Sequence, residues 1–324
     1  MEKPLATAAE GFFILTKCGI RCTLYLFYRI FTESLGITQN NVANMKSHLR
    51  VPAVAALLLL LLSSSFAQEA ATKKTKRVKG TFYGSWGYNR DWFSKSDIHF
   101  RNSSGEYNPV TGNYDYYDFT IYNAKATDRD GFNAMLRTDL TIPQYVYRLG
   151  YYFNNKKDLG IEINFDHAKY IMSDWQTLHV KGYISDQYID KDTMISPETF
   201  LHFEHSDGAN FLMLNLMKRQ RLLTSKNNKH WLSAVIKYGF GPVIPRTQVT
   251  LFGQDLNNCF HIAGYVTGME VGLRYDAFKH IYLEYTGKGV FADYRNVLVL
   301  GSGKAHHHFW AFENILTLGF QFPL

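Results

Sequence analysis

The sequence predicts an all-β chain: a transmembrane antiparallel up-and-down β-barrel of about ten strands, with eight or twelve left open by one ambiguous segment. Three observations carry that expectation. The first is the C-terminal stretch Phe309–Phe322, in which Trp310, Phe312, Asn314, Leu316, Leu318, Phe320 and Phe322 share one face. Ala311, Glu313, Ile315, Thr317, Gly319 and Gln321 share the other. The second is that five further segments repeat this rule, apolar or aromatic residues on one face and glycine or charge on the other. Arg148, Glu162, Lys237, Glu270, Arg274, Glu284, Lys288 and Glu313 all fall on the glycine face. A dry soluble core would not hold both signs of charge; a polar lumen would. The third is a secretory-type leader ahead of the strands.

The leader runs from Met45. A basic stretch, Met45–Arg50, precedes the apolar run Val51–Leu62 with its six consecutive leucines, and Ser65-Phe66-Ala67 offers small residues at −3 and −1. The run is shorter than the roughly 18 to 20 residues of a membrane span, so residues 45–67 read as a signal peptide and Gln68 as the mature start. Residues 1–44 read as a start codon assigned too far upstream, or as an extension. Residues 68–78 are a basic tail, and residues 79–324 are the barrel.

Strands are expected near 79–93, 116–127, 144–153, 158–170, 176–185, 198–223, 230–241, 260–276, 280–291 and 308–322. The segment 198–223 is long for one strand, and its apolar phase shifts across Ser206-Asp207-Gly208-Ala209. Long loops are expected at 94–115, 186–197, 242–259 and 292–307.

Composition removes several function classes. The formal charge is +7, but residues 1–77 account for +6, so the body is nearly neutral and lacks a nucleic-acid footprint. Cys18 and Cys22 fall in the leader region, which leaves Cys259 alone in the mature chain, with no internal disulfide and no cysteine-based metal site. Aromatic residues make up 16%, a level suited to two interfacial girdles.

Three constellations bear on chemistry. Phe165-Asp166-His167 and Phe203-Glu204-His205 echo one another; alternation puts Asp166 and Glu204 toward the lumen and both histidines among outward residues. Glu204, His205 and Ser206 are the candidate catalytic residues, although neighbours on an extended strand point apart and Ser206-Asp207-Gly208 also reads as a turn. His306, His307 and His308 are the candidate metal ligands; the expectation is no metal and no cofactor.

The leader, the alternating strands and the aromatic close resemble the outer-membrane β-barrels of Gram-negative bacteria. Ile142–Phe153 and Phe203–Gly208 are similar to small barrels of the Bacteroidota type, for which no settled activity follows. Pro323 and Leu324 overhang the usual terminal aromatic. The resemblance implies an outer-membrane location after leader removal. It also implies contact with lipid and lipopolysaccharide, and delivery to the barrel-assembly machinery through the last strand. Glu204–Asp207 also invites comparison with the outer-membrane lipid A deacylases, where histidine and serine are two residues apart; here they are adjacent. The expected function is a barrel with a mixed-charge, closed lumen serving envelope structure or surface binding, more a non-enzyme than an enzyme. The alternatives are a lipid A or phospholipid acyl hydrolase and a small-solute channel.

Overall fold

The computed structural model describes residues 80–103, 105, 107–108, 113–114, 116–128, 144–154, 158–205 and 207–324. The whole expected leader and the whole basic tail lie outside these residues, as does Ser206. Among the described residues the chain is strands and turns, without a helix. The first half contains β1 (Thr81–Phe93), β2 (Ser96–Asn102), β3 (Tyr107–Asn108), β4 (Asn113–Tyr114), β5 (Tyr117–Ala124), β6 (Ala126–Thr127), β7 (Tyr145–Asn154), β8 (Leu159–His167) and β9 (Tyr170–Met172). It continues with β10 (Thr177–Ile184), β11 (Gln187–Met194), β12 (Leu201–His205), β13 (Phe211–Thr224) and β14 (His230–Val243). The last elements are β15 (Gln248–Leu251), β16 (Gln254–Asn257), β17 (Gly264–Ala277), β18 (Ile281–Leu298) and β19 (Lys304–Pro323).

Eight strands close a ring in the order β1-β7-β8-β13-β14-β17-β18-β19, and β19 returns to β1 with Thr81 opposite Pro323 and Phe93 opposite Ala311. Every neighbour in the ring is antiparallel. Both ends of the described chain, the facing ends of β7 and β8, and the short β13–β14 and β17–β18 turns lie at one end of the ring. The β17–β18 turn holds Phe278 and Lys279 at φ 54° and 71°, the left-handed pair of a tight hairpin. The long β1–β7, β8–β13 and β14–β17 connections lie at the other end.

The described residues of those connections form further strands. From the far end of β19 the barrel sheet branches through β2, β5, β10 and β11. A second sheet, β16-β15-β12-β9-β6, faces this branch. Ile98, Phe100, Phe119, Ile121 and Val180 from the first sheet pack with Leu201, Phe203, Val249 and Leu251 from the second, all nearly inaccessible. Phe100 meets Phe203 edge to face at 5.6 Å. The result is a two-sheet cap over one mouth of the barrel. Its core is continuous with Val266, Val290, Ala292, Phe309 and Ala311 of the barrel strands.

The expected strand positions need one correction of role. Residues 116–127 and 176–185 are strands, but they belong to the cap, so the ring holds eight and not about ten. The expected loops at 94–115, 186–197 and 242–259 contain β2, β11, β15 and β16, and the 292–307 loop shrinks to residues 299–303. A sandwich strand and a barrel stave share the same period of two, so alternation alone cannot separate them. The segment 198–223 divides into β12 and β13 around the phase shift at 206–210.

Alternation along the staves is sharp. Leu149, Leu214, Tyr238, Phe240, Trp310, Leu318 and Phe320 point out and stay exposed. Arg148, Glu162, Asn215, Lys237 and Thr317 point in and are buried. Tyr83 and Tyr282 fit inside because Gly150 and Gly319 face them across the sheet, where a Cβ would overlap the rings.

Candidate functional site: a charged lumen beneath a histidine-linked cap

The lumen is built from inward positions of consecutive staves. Lys237, Glu270, Lys288 and Glu313 are register partners across four adjacent strands, so the wall itself alternates in sign. Such opposite pairs stabilise a sheet. Lys237 Nζ contacts Glu284 at 2.7 Å and both Glu162 and Glu270 at 3.1 Å. Arg274 Nε donates to Asp276 at 3.1 Å and Nη2 to Gln321 at 2.8 Å, while its guanidinium lies 3.4 Å from the Tyr282 ring centre. Glu284, the register partner of Arg274, sits 3.9 Å from it and closer to Lys237. Tyr83 donates to Glu162 at 2.6 Å, and Asn215 binds Glu162 and Asn164.

Three contacts cross the barrel axis between staves four places apart in a ring of eight. Arg219 on β13 reaches Gln321 on β19 at 3.5 Å. Arg148 on β7 reaches Glu270 on β17 at 3.6 Å. Lys288 on β18 meets Asp166 on β8, which also holds Arg148. Nearer the cap the filling turns apolar, with Met213, Val243, Val266, Val290 and Phe309 all nearly inaccessible. The lumen is therefore occupied along its length, first by paired charge and then by hydrocarbon.

All nine charges read from the sequence, Arg148, Glu162, Asp166, Lys237, Glu270, Arg274, Glu284, Lys288 and Glu313, sit on this inner face and are at most 5% exposed. The reading missed Asp91, Asp158, Arg219 and Asp276, which join the same network. Asp91, Arg219 and Asp276 follow the same alternate phase, a usable signal; Asp158 precedes β8 and has none.

Above the lumen, two of the candidate histidines meet. His205 Nε2 lies 3.0 Å from His307 Nε2, and His205 Nδ1 lies 2.9 Å from the Thr247 hydroxyl. Tyr294 stacks on both rings. Burial pushes the His205 imidazole down to about 3, so the ring is neutral at physiological pH. The contact is an N–H···N bond in which one histidine donates. Both nitrogens of His205 are thus engaged, and neither is free to activate a hydroxyl. His307 Nδ1 is buried without a partner.

The remaining candidates separate. The expectation that His205 faces outward is corrected: alternation in β12 turns it into the cap core with Leu201 and Phe203. Glu204, expected in the lumen, lies on the opposite face of β12, 3.5 Å from His202 Nε2. His167, also expected outward, is largely buried, bonded to Asn210 at 2.8 Å and stacked on Tyr145. His306 faces away from His307 and pairs with Asp293 at 2.9 Å; His308 follows on the outward phase. The three consecutive histidines therefore do not converge, and no group of three metal-ligating side chains is present among the described residues.

No protein-family model matches the chain, and no curated protein matches it. Solved structures do. Neisserial surface protein A is 9% identical, with 75% of this chain and 97% of that chain covered, at a TM-score of 0.29. The N-terminal β-barrel domain of Pseudomonas aeruginosa OprF is 9% identical over 76% and 98%, at 0.28. The outer membrane protease OmpT from Escherichia coli is 9% identical over 78% and 99%, at 0.24. Likenesses this low say nothing of activity, and the barrel described above rests on the chain's own strand pairing.

Proposed function

We propose that this protein is an outer-membrane anchor that displays its two-sheet cap on the bacterial surface for binding, with residues 45–67 serving as its export signal. The observation that carries the reading is the contrast between the two faces of one ring. Large apolar side chains stay exposed outside, while charged groups meet across the axis inside. Lipid is the solvent that suits such an outer face, and a barrel closes every strand edge that lipid could not satisfy. Short turns belong on the periplasmic side of such barrels and long connections outside, which puts the cap on the cell exterior. A plugged lumen argues for an anchor and against a channel. The engaged nitrogens of His205 offer nothing to a hydrolase.

The test is surface display. An epitope inserted between Ser185 and Asp186, in the tight turn joining β10 to β11, should be labelled on intact cells. The same protein should run as a heat-modifiable band in outer-membrane fractions. Labelling only after lysis would overturn the reading.

A further inference from the structure

The cap branch leaves the ring sideways. β2 pairs with β19 beyond the point where β1 ends, and β5, β10 and β11 then add outward from it. The strand ends nearest the barrel are Ser96, Ala124, Thr177 and Met194. They lie just above the outward aromatics of the rim. Ser94 N donates to Trp310 O at 2.8 Å, so Lys95 is one residue, about 3.3 Å of strand, past the level of the exposed Trp310.

Between these strand ends is an open groove of about 510 Å³ lined by Lys95, Tyr122, Asn123, Lys125, Thr177 and His179 together with Gln176 and Leu178. Its walls are built. The Lys125 backbone amide donates to Gln176 Oε1 at 3.0 Å, and Gln176 Nε2 donates to the carbonyls of Ser173 and Lys125. The carboxylates at its margin are engaged: Asp97 accepts the Asn123 amide at 2.8 Å, and Asp192 and Asp190 hold His179. Among the described residues neither Lys95 nor Lys125 pairs with a carboxylate, so the groove presents two uncompensated ammonium groups. Beside it Trp175, at φ 57°, projects an indole that is 58% exposed. Met194 faces Thr177 and is equally open.

The geometry points to a binding site for a phosphorylated lipid headgroup of the outer leaflet, of the lipid A class. Lys95 and Lys125 take the phosphate, while Trp175 and Met194 enter the acyl boundary. The assignment rests on the membrane reading above. A soluble anion would account for the lysines. It would not account for an indole and a thioether held open beside them at the height of the aromatic rim, where tryptophan is favoured at the edge of the hydrocarbon. Two basic groups at that depth add an electrostatic term that a zwitterionic headgroup supplies poorly.

The experiment uses detergent-solubilised full-length protein titrated with diphosphoryl lipid A, with dephosphorylated lipid A and with inorganic pyrophosphate, bound lipid being counted by native mass spectrometry. Wild type should hold one diphosphoryl lipid A that pyrophosphate does not displace. K95Q/K125Q should bind it roughly thirtyfold more weakly, the factor two basic groups near a membrane surface supply. W175S should lose affinity for both lipids, and K226Q/K229Q, in the β13–β14 turn at the opposite end, should match wild type. Equal binding by K95Q/K125Q and wild type, or full displacement by pyrophosphate, would overturn the site. Wild type and K95Q/K125Q should also insert equally into vesicles. Failure of wild type to insert would bring down the membrane reading as well, whereas normal insertion with unaltered lipid binding sinks only this inference.

Discussion

A neutral imidazole buried at His205 ties the cap to pH. The unfolded ring takes a proton near pH 6.5, whereas burial holds the folded ring down to about 3. Between those values the unfolded chain binds a proton that the folded cap refuses, so stability is present above pH 6.5 and falls as the pH drops. The slope is about 1.4 kcal/mol per pH unit. His202 works the other way. Its hydrogen bond to Glu204, and after that the one to Asp174, raises it to about 9. Its contribution is complete below about pH 6.5 and disappears as the pH climbs through 9. The cap should therefore be firmest near neutrality. Once divided by the intrinsic exchange rate, the opening constant of the β12 amides should rise roughly fifteenfold between pH 6.5 and 5, and His205→Gln, which still bonds a hydroxyl, should reduce that rise. An opening constant that stays flat over this range would mean that the folded ring is already protonated. The partnership behind this behaviour was not legible in the sequence. His205 and His307 each stood out, but they are 102 positions apart, and no local period joins a residue of one connection to a residue of the last strand. The lumen charges were legible because each lies on the phase of its own stave.

At the scale of the element, β19 shows how far alternation reaches and where it stops. Leu318 is 53% exposed and Thr317 2%, as adjacent residues on a stave should be. Leu318→Arg places a charge on the lipid-facing side and should cost about 2 to 4 kcal/mol near the bilayer midplane. Thr317→Val keeps shape and removes a hydroxyl that has no partner, so it should be neutral or slightly stabilising. The amount of heat-modifiable protein in outer membranes should fall for the first and hold for the second; the reverse order would mean the faces are inverted. The cap elements were less readable, for two reasons. β2 does alternate, with Ile98 and Phe100 inward against Asp97, His99 and Arg101, but it is seven residues long and follows β1 after only two. β11 sits at a sheet edge, open on both faces apart from Ile189 and Thr193, and carries Asp190, Lys191 and Asp192. An edge strand protected by charge resembles a loop in one dimension.

At the scale of the molecule, closure comes from two mechanisms stacked along one axis. The lower lumen is bridged by Arg219, Arg148 and Lys288 reaching staves on the opposite wall, each toward a carboxylate or amide. The upper mouth is filled by hydrocarbon shared with the cap. Each mechanism fails differently. Arg148→Met leaves the buried carboxylates of Asp166 and Glu270 each short of a cation, which should lower stability by about 3 to 5 kcal/mol. Adding Glu270→Gln should recover part of that loss, because the amide needs no counter-charge. Neither change touches Val266, Val290 or Phe309, so neither should open a path to the outside. In planar bilayers, wild type, Arg148→Met and the double variant should all lack unitary conductance. A variant with Phe203 and Phe309 both cut to alanine loosens the apolar seal, yet the salt-bridged floor still blocks ions, so it too should stay silent. Conductance is expected only when both layers are broken together, as in Phe203→Ala/Phe309→Ala combined with truncation of all three crossing side chains, Arg148, Arg219 and Lys288. Unitary steps from the wild type would show that the charges move aside in the membrane and would restore the channel as the better reading. Steps from either single-layer variant would show that one layer alone closes the barrel.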